Sequence, residues 1–495
     1  MQPAVFCQPW NRTKPETMYR NFFGLLLLLI STVATAQYET LKSFLADSSL
    51  SGASVSICIV STEDGTTVLD YNSDESLMPA SVLKIVTSAA ALELLGPDYH
   101  FKTSIGYTGE LDKRTGVLTG DLVIKGGGDP ALGSPYFREH YGNFLSGWVL
   151  RLKEAGVKSV NGRVICDDSR YDYQPVPAKW LWEDIGNYYG AGVYGLSLFD
   201  NTLEIHFRTS SEGTIPEITG YNPAEARYDL SNQLVSSGNS DKGYVFSPPY
   251  GNYGWIAGTI PANRDHFTLL ASIPDPPMLI ASLFDKMLDS AGIAVRQEPS
   301  TLRIENHVPG EVITIAETKS PSLSAITEVL NHESVNLYAE HLLKELGLQF
   351  RGKGTTDSGI DVLYSFLAEA GVDPKGFFIE DGSGLSPLNA VTAKGLAGLL
   401  FYMRKKAQNA EAFINSLPEA GKEGTLKSSF HQPSFKNNLK AKSGSITRTR
   451  CYAGYFTASS GKEMAFSIMV NNYSGSSQTV VSGIEALLLE TIVSQ

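Results

Sequence analysis

The sequence predicts an α/β protein with an antiparallel sheet and a smaller, mostly β sub-domain. Apolar residues at helical spacing alternate with short strand-like runs over most of the chain. Segments 439–446, 450–458 and 463–471 are strand-like and closely spaced, which is typical of an antiparallel meander. Residues 200–265 hold short strand-like runs with Ser- and Gly-rich connections, which indicates the β sub-domain.

Composition and charge exclude several classes of function. The chain has 495 residues, enough for two or three domains, and its 42% hydrophobic and 19% charged residues are ordinary for a globular protein. A net charge of −12 without any basic stripe argues against nucleic acid as a partner. The eight histidines show no HExxH or similar spacing, so we expect neither a metal nor a cofactor.

The N-terminus has the pattern of a secretion signal. Arg20 precedes the apolar run 22–30, and Ala34 and Ala36 supply a small-x-small cleavage site. The apolar run is too short to span a membrane. We therefore expect residues 1–36 to be removed and the mature protein to be periplasmic or otherwise extracytoplasmic, with Met1 and Met18 both open as the true start.

The cysteines do not form a disulfide pattern. Cleavage would remove Cys7 and leave Cys58, Cys166 and Cys451, an odd number, in apolar strand-like stretches far apart in the chain. We expect these three to be small buried hydrophobic residues.

Periodicity and turn residues set the remaining elements. Gly126–Gly128 follows a strand but no GK[ST] opens a helix after it, so it predicts a tight turn rather than a phosphate loop. Pro274–Pro277 predicts a boundary with a helix after it. The last helix is apolar but lacks a basic face, so we expect it to pack on the sheet, with at most peripheral membrane contact. Helices are expected at 41–50, 81–96, 136–155, 278–291, 323–330, 359–370, 392–406 and 480–493, and further strands at 53–61, 101–125, 157–168 and 312–316.

Ser81 and Lys84 lie about one turn apart at the start of the helix that ends at Gly96. A desolvated lysine can take the proton of a serine hydroxyl, and the first N–H groups of the helix would face an oxyanion beside Ser81. A helix cap followed by a solvated lysine explains the same pair. Segment 459–462 has the same spacing in a predicted hairpin turn, so Ser81 needs further partners to be assigned.

Ser334 and Asn336 lie just before a predicted helix. A hydroxyl and an amide two residues apart suit relaying a proton and holding a substrate carbonyl. The pattern is weak alone, because Ser-x-Asn also occurs at 159–161 and 237–239.

Lys442–Ser445 (Lys-Ser-Gly-Ser) lies at the start of a predicted strand and contains the only Lys-[Ser/Thr]-Gly of the chain. A strand edge offers backbone N–H groups, while the lysine and the hydroxyls can hold a carboxylate. A β-turn with a solvated lysine is the ordinary alternative.

Ser-x-x-Lys, Ser-x-Asn and Lys-Ser-Gly in this order are the signature of penicillin-recognising serine enzymes. The roughly 250 residues between the first two motifs leave room for an additional domain. In these features the chain resembles the D-alanyl-D-alanine carboxypeptidase/endopeptidase family, the class C low-molecular-mass penicillin-binding proteins of peptidase family S13. The resemblance covers nearly all of 40–493 and includes segments 125–132, 187–192, 381–386 and 442–455.

This resemblance implies a penicillin-binding, transpeptidase-like α/β/α core at 37–97 and 290–495. It also implies a large, mostly β inserted domain at 98–289, which carries the sub-domain at about 200–265. The implied protein is an exported serine DD-peptidase that cleaves D-Ala-containing bonds of peptidoglycan stem peptides and is inhibited by β-lactams.

The resemblance also implies residue roles. Ser81 would attack the carbonyl between two D-alanines, Lys84 would be the base, and Ser334 would pass the proton to the leaving nitrogen. Asn336 would orient the acyl amide, and the backbone N–H groups of Ser81 and Ser445 would form the oxyanion hole. The substrate carboxylate would be held by the third motif, Lys442, Ser443, Gly444 and Ser445.

Two positions match the family less firmly. Asp184 and Tyr189 match residues that, in family members, reach over the cleft towards the diamino acid of the stem peptide, although a capped turn and a core tyrosine explain them equally well. Some relatives carry an arginine where this chain has Pro387, so any contact of that arginine is not expected here.

Two alternatives remain open at this point. A β-lactamase or esterase of the same acyl-serine class would turn penicillin over rapidly. A non-catalytic cell-wall binding protein would retain stem peptides without releasing D-alanine. The sequence leaves open the balance of carboxypeptidase and endopeptidase work, the diamino acid, and whether the protein forms a homodimer.

Overall fold

The computed structural model describes residues 37–306 and 310–495. The predicted signal peptide, with its cleavage site, lies outside the described residues. Within them, no helix combines the length and the apolar character needed to cross a membrane.

The core of the fold is a five-stranded antiparallel sheet, and the predicted meander forms three of its strands. Seven of the eight residues of Ser54–Ser61 are buried, because both faces of the sheet are covered. The order across the sheet is Thr67–Tyr71, Ser54–Ser61, Glu463–Asn471, Thr449–Thr457 and Lys440–Ile446.

Helices cover the two faces of this sheet. On one face, the helix over 37–45 and the C-terminal helix Ser477–Ser494 pack in one apolar cluster, as the apolar last helix predicted. The other face packs in the main apolar cluster. The result is the predicted α/β/α core, whose helices in that second layer are Lys84–Leu95, Leu323–Glu333, Asn336–Arg351, Thr356–Glu369, Ala393–Lys405 and Ala410–Asn415.

An inserted body follows the helix Lys84–Leu95 and contains two mixed sheets. The helices Phe144–Glu154 and Pro276–Ser290 contribute apolar side chains to its core. One sheet has the order Ser300–Thr301, Val164–Asp167, Leu122–Lys125, Lys102–Tyr107 and Ile313–Lys319; the other has the order Ala294–Val295, Ser159–Val160, Val117–Thr119 and Glu110–Asp112.

Strand pairing bears on where this body ends. Ile313–Lys319 pairs antiparallel with Lys102–Tyr107, so the chain is still in the inserted sheets well after residue 290. The prolines at 276 and 277 begin the helix Pro276–Ser290 instead of a linker between domains. We therefore propose an inserted body of about 98–320 in place of 98–289.

Short strands fill most of 202–272, the region where a sub-domain was predicted. They form two three-stranded sheets. The first has the order Glu217–Asn222, Thr202–Thr209 and Arg264–Ser272, and the second has the order Asp229–Ser236, Tyr253–Ile260 and Lys242–Phe246.

The three predicted buried cysteines, Cys58, Cys166 and Cys451, are buried free thiols in strands. The short strand Ser76–Leu77 pairs with Val391–Thr392 in a two-stranded ladder. Ser76–Leu77 comes just before the turn that leads into the helix Lys84–Leu95.

Candidate active site

Ser81 lies on a tight turn rather than on an α-helix. Residues Ala80–Leu83 form a 3-10 turn, and the α-helix begins only at Lys84. Ala80 has a φ of 46°, a left-handed conformation that L-residues rarely adopt. This turn brings Ser81 to the wall of a cavity while the neighbouring side chains of Val82 and Leu83 enter the core.

Lys84 joins the first two sequence motifs. Its Nζ lies 2.9 Å from Ser81 Oγ and 2.6 Å from Asn336 Oδ1. A third contact, of 2.7 Å, joins Nζ to the carbonyl oxygen of Ser383. Asn336 is the first residue of the helix Asn336–Arg351, and its Nδ2 donates to the Tyr189 carbonyl at 2.8 Å, which fixes the amide.

Burial shifts the Lys84 amine towards its neutral form. The side chain is fully buried, and desolvation lowers the pKa of Lys84 from 10.5 to about 7, although the nearby Asp381 and Glu340 act in the opposite direction. A neutral amine has two N–H groups and one lone pair. It can therefore donate to the two carbonyl oxygens and accept the proton of Ser81.

A loop after the helix Asn336–Arg351 supplies the Ser383 carbonyl, and buried carboxylates hold that loop. Glu340 accepts the N–H groups of Gly382 and Ser383 at 2.8–3.1 Å. Asp381 accepts the N–H groups of Gly384 and Ser386, at 2.7 and 2.6 Å. Both carboxylates are buried, so these hydrogen bonds fix the loop that orients Lys84.

The third motif joins Ser334. Lys442 Nζ lies 3.0 Å from Ser334 Oγ and 2.7 Å from the carbonyl oxygen of Ser443, the next residue in the chain. Lys442 is fully buried, and desolvation, followed by repulsion from Lys84, holds its pKa well below the usual value. No Asp or Glu in the described parts of the chain offsets this shift, so an anion brought into contact with Lys442 would favour its charged form.

The two serines of the third motif have different surroundings. Ser445 lines the cavity. Ser443 donates a 2.7 Å hydrogen bond to Thr425 Oγ1. Gly444 lies so close to the Ser81 turn that a Cβ there would approach the Pro79 carbonyl oxygen to 2.5 Å, and this close approach sets the distance between the strand and the turn.

A cavity of about 1010 Å³ lies against this group of residues, although the buried amines of Lys84 and Lys442 do not line it. Its lining includes Ser81, Ser334, Asn336 and Ser445. The inserted body contributes tyrosines and acidic residues to the lining. They include Tyr136, Tyr188, Tyr189, Tyr244, Glu183, Asp184, Asp200 and Glu204.

Asp184 and Tyr189 face each other in this cavity. Desolvation raises the pKa of the Asp184 carboxyl, although the Tyr189 hydroxyl acts in the opposite direction. Burial, then the Asp184 charge, raises the pKa of Tyr189. Pro387, which stands where some relatives have arginine, also lines the cavity. The positions of Asp184 and Tyr189 in the cavity are compatible with contact to a bound peptide, and the roles of these two residues stay predictions.

Sequence reasoning missed the groups that support Lys84. It noted the segment 381–386 without giving it a role, and it did not single out Glu340 or Thr425. Glu340 lies one turn after Asn336 on the same helix face, but only the assembled structure shows that its carboxylate is buried.

A family model and several known proteins match most of the chain. Residues 37–489 match the model of the D-Ala-D-Ala carboxypeptidase 3 (S13) family. A D-alanyl-D-alanine carboxypeptidase of Actinomadura sp. (strain R39) is 30% identical over 467 residues, which cover 91% of this chain and 84% of the relative. The carboxypeptidase DacB of Haemophilus influenzae is 22% identical, with 86% of each chain covered.

Solved structures agree on the fold. The crystal structure of penicillin binding protein 4 (dacB) from Haemophilus influenzae superposes with a TM-score of 0.78 at 22% identity, covering 89% of this chain and 96% of that one. A structure of the same protein complexed with a β-lactam has a TM-score of 0.74. These likenesses confirm the fold class predicted from the sequence. From the family match over most of its length, we conclude that the chain belongs to the D-Ala-D-Ala carboxypeptidase 3 (S13) family and is a serine-type D-Ala-D-Ala peptidase.

Proposed function

We propose that Ser81 is the nucleophile of this DD-peptidase and that Lys84 is its base. Ser81 Oγ forms a bond to the carbonyl carbon between two D-alanines, and its proton passes to the neutral Lys84 amine. The backbone N–H groups of Ser81 and Ser445 take the resulting oxyanion. The observation that carries this assignment is the 2.9 Å contact between Ser81 Oγ and a fully buried amine whose pKa is lowered to about 7.

Ser334 and Lys442 complete the first half of the reaction. The C–N bond breaks as Ser334 Oγ delivers its proton to the leaving nitrogen, and the proton that Lys84 took from Ser81 replaces it on Ser334, so Lys84 is neutral again. Lys442 Nζ lies 3.0 Å from Ser334 Oγ and stabilises this oxygen during the transfer. Lys442 and Ser445 also hold the carboxylate of the terminal D-alanine. Water then attacks the acyl carbon and gives its proton to the neutral Lys84. The bond between the acyl carbon and Ser81 Oγ breaks, Lys84 returns the proton to Ser81 Oγ, and the shortened stem peptide leaves.

Other groups of the cavity position the substrate in this proposal. Asn336 orients the acyl amide, because its side chain is held between Lys84 and the Tyr189 carbonyl. The carboxylate of Asp184 beside Tyr189 suits the amino group of a stem-peptide diamino acid. Ser443 has a positioning role, because its hydroxyl donates to Thr425 and so helps to fix the strand that carries Lys442 and Ser445.

The cellular setting follows from the substrate. Peptidoglycan lies outside the cytoplasm, and the pattern at 1–36 supports export by a cleaved signal peptide. β-Lactams would acylate the same serine, because they present a carbonyl and a carboxylate at similar positions.

The test is intact-mass spectrometry after incubation with benzylpenicillin. We expect one long-lived adduct, mapped to Ser81 by peptide analysis and absent in Ser81→Ala. Ser459→Ala, which changes the exposed Ser-x-x-Lys copy, is the matched control and should label normally. Label on another residue, or rapid turnover of penicillin without an adduct, would contradict the proposal.

A further inference from the structure

The three-stranded sheet at 229–260 has an unusual outer face. Val245 and Ile256 point into the core, whereas Tyr244 and Phe246 alternate with Val245 and lie on the opposite face. The neighbouring strand places Tyr253 and Trp255 on that same face. A sheet with one solvated face normally carries polar residues there, so this row of aromatic residues calls for an explanation.

Four aromatic rings form a connected row, in which Tyr244 and Phe246 have ring centroids 6.4 Å apart, and Tyr253 lies on the same sheet face. Phe246 stacks on Trp255 with ring centroids 5.1 Å apart and planes tilted by 12°. Trp182, from a short helix at 182–185, lies 6.0 Å from Trp255. We call Trp182, Tyr244, Phe246, Tyr253 and Trp255 the aromatic platform. Its rim is open to solvent, with exposed fractions of 47% for Trp182, 40% for Tyr244 and 56% for Tyr253.

The platform is continuous with the active-site cavity. Tyr244 lines that cavity, and so do Leu181 and Glu183, which flank Trp182 in the chain. Tyr244 also lies close enough to Tyr189 to influence its hydroxyl, and the Tyr189 carbonyl accepts from Asn336. A substrate that leaves the cavity at this side therefore reaches the aromatic rings next.

Charge and polarity favour one occupant. Beside the rings, the same sheet face carries Asp229, Ser231 and Gln233, and Glu183 follows Trp182. Acidic neighbours disfavour an anionic membrane surface. A sugar strand whose lactyl carboxylates are amide-bonded to stem peptides is neutral. It presents flat C–H faces to aromatic rings and hydroxyl and acetamido groups to serine, glutamine and aspartate side chains.

We propose that the aromatic platform binds the glycan strand of peptidoglycan while a stem peptide of that strand occupies the cavity. The inference rests on the proposed function for the identity of the substrate, since the stem peptide and the glycan belong to one polymer. The platform would raise the local concentration of stem peptides at Ser81 and favour polymeric over free peptide substrates.

The test uses a soluble hexamer of β-1,4-linked N-acetylglucosamine as a neutral probe, with binding followed by tryptophan fluorescence of the full chain. We expect wild type to bind it, and Tyr253→Ala and Tyr253→Ala/Trp182→Ala to bind about tenfold more weakly or worse. Tyr253→Ala should keep its rate of penicillin acylation but hydrolyse insoluble peptidoglycan more slowly. Phe378→Ala, an exposed aromatic residue of the catalytic core, is the matched control and should change neither.

Three results would overturn the inference. The first is that wild type does not bind the hexamer, and the second is that the variants bind it as tightly as wild type. The third is that a sugar-free stem peptide or anionic vesicles, and not the hexamer, bind to wild type and bind more weakly to the variants. Penicillin labelling separates this test from that of the proposed function. Failure of Ser81 to label would remove the proposed mechanism and leave the hexamer result intact.

Discussion

At the scale of single residues, Lys84 makes contacts that suit two protonation states. As an ammonium it donates to Ser81 Oγ, Asn336 Oδ1 and the Ser383 carbonyl, and as an amine it keeps the last two and accepts from Ser81. The neutral form is the base, so we expect the rate of penicillin acylation to rise with pH up to about 7 and then level off.

The acylation rate at each pH is measured by quenching the penicillin reaction at several times and determining the acylated fraction by mass spectrometry. Below the pKa, each pH unit should cost roughly tenfold in rate, because the neutral fraction falls by that factor. A rate independent of pH across this range would show that Lys84 does not act as the base. Circular dichroism at each pH controls for loss of folding.

Glu340 acts on the reaction through the loop that carries the Ser383 carbonyl. Glu340→Ala removes the acceptor of two backbone N–H groups, so the loop shifts and Lys84 loses its orientation. We expect kcat for a D-Ala-D-Ala peptide to fall about tenfold or more with KM nearly unchanged. Glu340→Gln should rescue most of the rate, because the amide oxygen can accept both N–H groups.

The same pair of variants separates positioning from simple loss of stability. The Glu340 charge raises the pKa of Lys84, whereas burial, followed by the Asp381 charge, raises the pKa of Glu340 itself to about 8. Because Glu340 is then only partly ionised near pH 7, Glu340→Gln should move the rising limb of the pH profile only slightly, to lower pH. Glu345→Gln is the matched control, since Glu345 is buried on the same helix but bonds Arg170 and Tyr171. It should lower the melting temperature without moving the profile.

At the scale of elements, the distance between the Lys440–Ile446 strand and the Ser81 turn depends on Gly444. Its φ lies outside the left-handed region, so Gly444→Ala changes space rather than backbone preference. The added Cβ would meet Pro79 O at 2.5 Å and Val82 N at 3.0 Å. The strand must move, and a displacement of about 1 Å can cost on the order of 100-fold in rate.

We therefore expect Gly444→Ala to acylate on the order of 100-fold more slowly with penicillin while remaining folded. Gly147→Ala is the matched control, because Gly147 lies in the helix Phe144–Glu154 with open space at its Cβ position. It should keep the wild-type rate and gain a little stability. Wild-type acylation by Gly444→Ala would show that the close approach does not position the third motif.

Elements with a strong local signal were predictable from the sequence. The strands that carry Lys442 and Cys451 follow from alternation, and the spacing of Ser81 and Lys84 follows from one helical turn. The 3-10 geometry at Ser81 was not predictable, because Ala80 has a φ of 46° in a turn that two distant glycines, Gly384 and Gly444, approach closely. Glu340 resembles any helical glutamate until the loop that it holds is in place.

At the scale of the whole molecule, long-range pairing limits what the sequence predicts. The strand Ile313–Lys319 pairs with Lys102–Tyr107, about two hundred residues earlier in the chain, and no local pattern carries that information. The predicted end of the inserted domain, at residue 289, therefore lies before the strand Ile313–Lys319, which still pairs with that domain. The inserted body also contributes to the active site by direct contacts, which only the assembled fold reveals.

Trp180 makes one of these contacts, since its indole Nε1 donates to Asp381 Oδ2 at 2.8 Å. Nearby, Ser386 Oγ donates to the Lys179 carbonyl at 3.0 Å, so the inserted body holds the loop that positions Lys84. Trp180→Phe leaves one oxygen of a buried carboxylate short of a donor, which costs about 1–3 kcal/mol of stability. Because Asp381 anchors the loop, we also expect slower acylation by penicillin.

The matched control is Trp148→Phe, whose indole donates to Thr318 Oγ1 at 2.9 Å within the inserted body, without contact to the loop. Both variants should lose stability in urea denaturation, because each removes one indole hydrogen bond. Only Trp180→Phe should slow acylation, measured with both proteins fully folded. If the two variants acylate equally fast, the inserted body merely packs beside the catalytic core. If only Trp180→Phe is slow, contact between the two parts of the chain helps to set the geometry of Lys84.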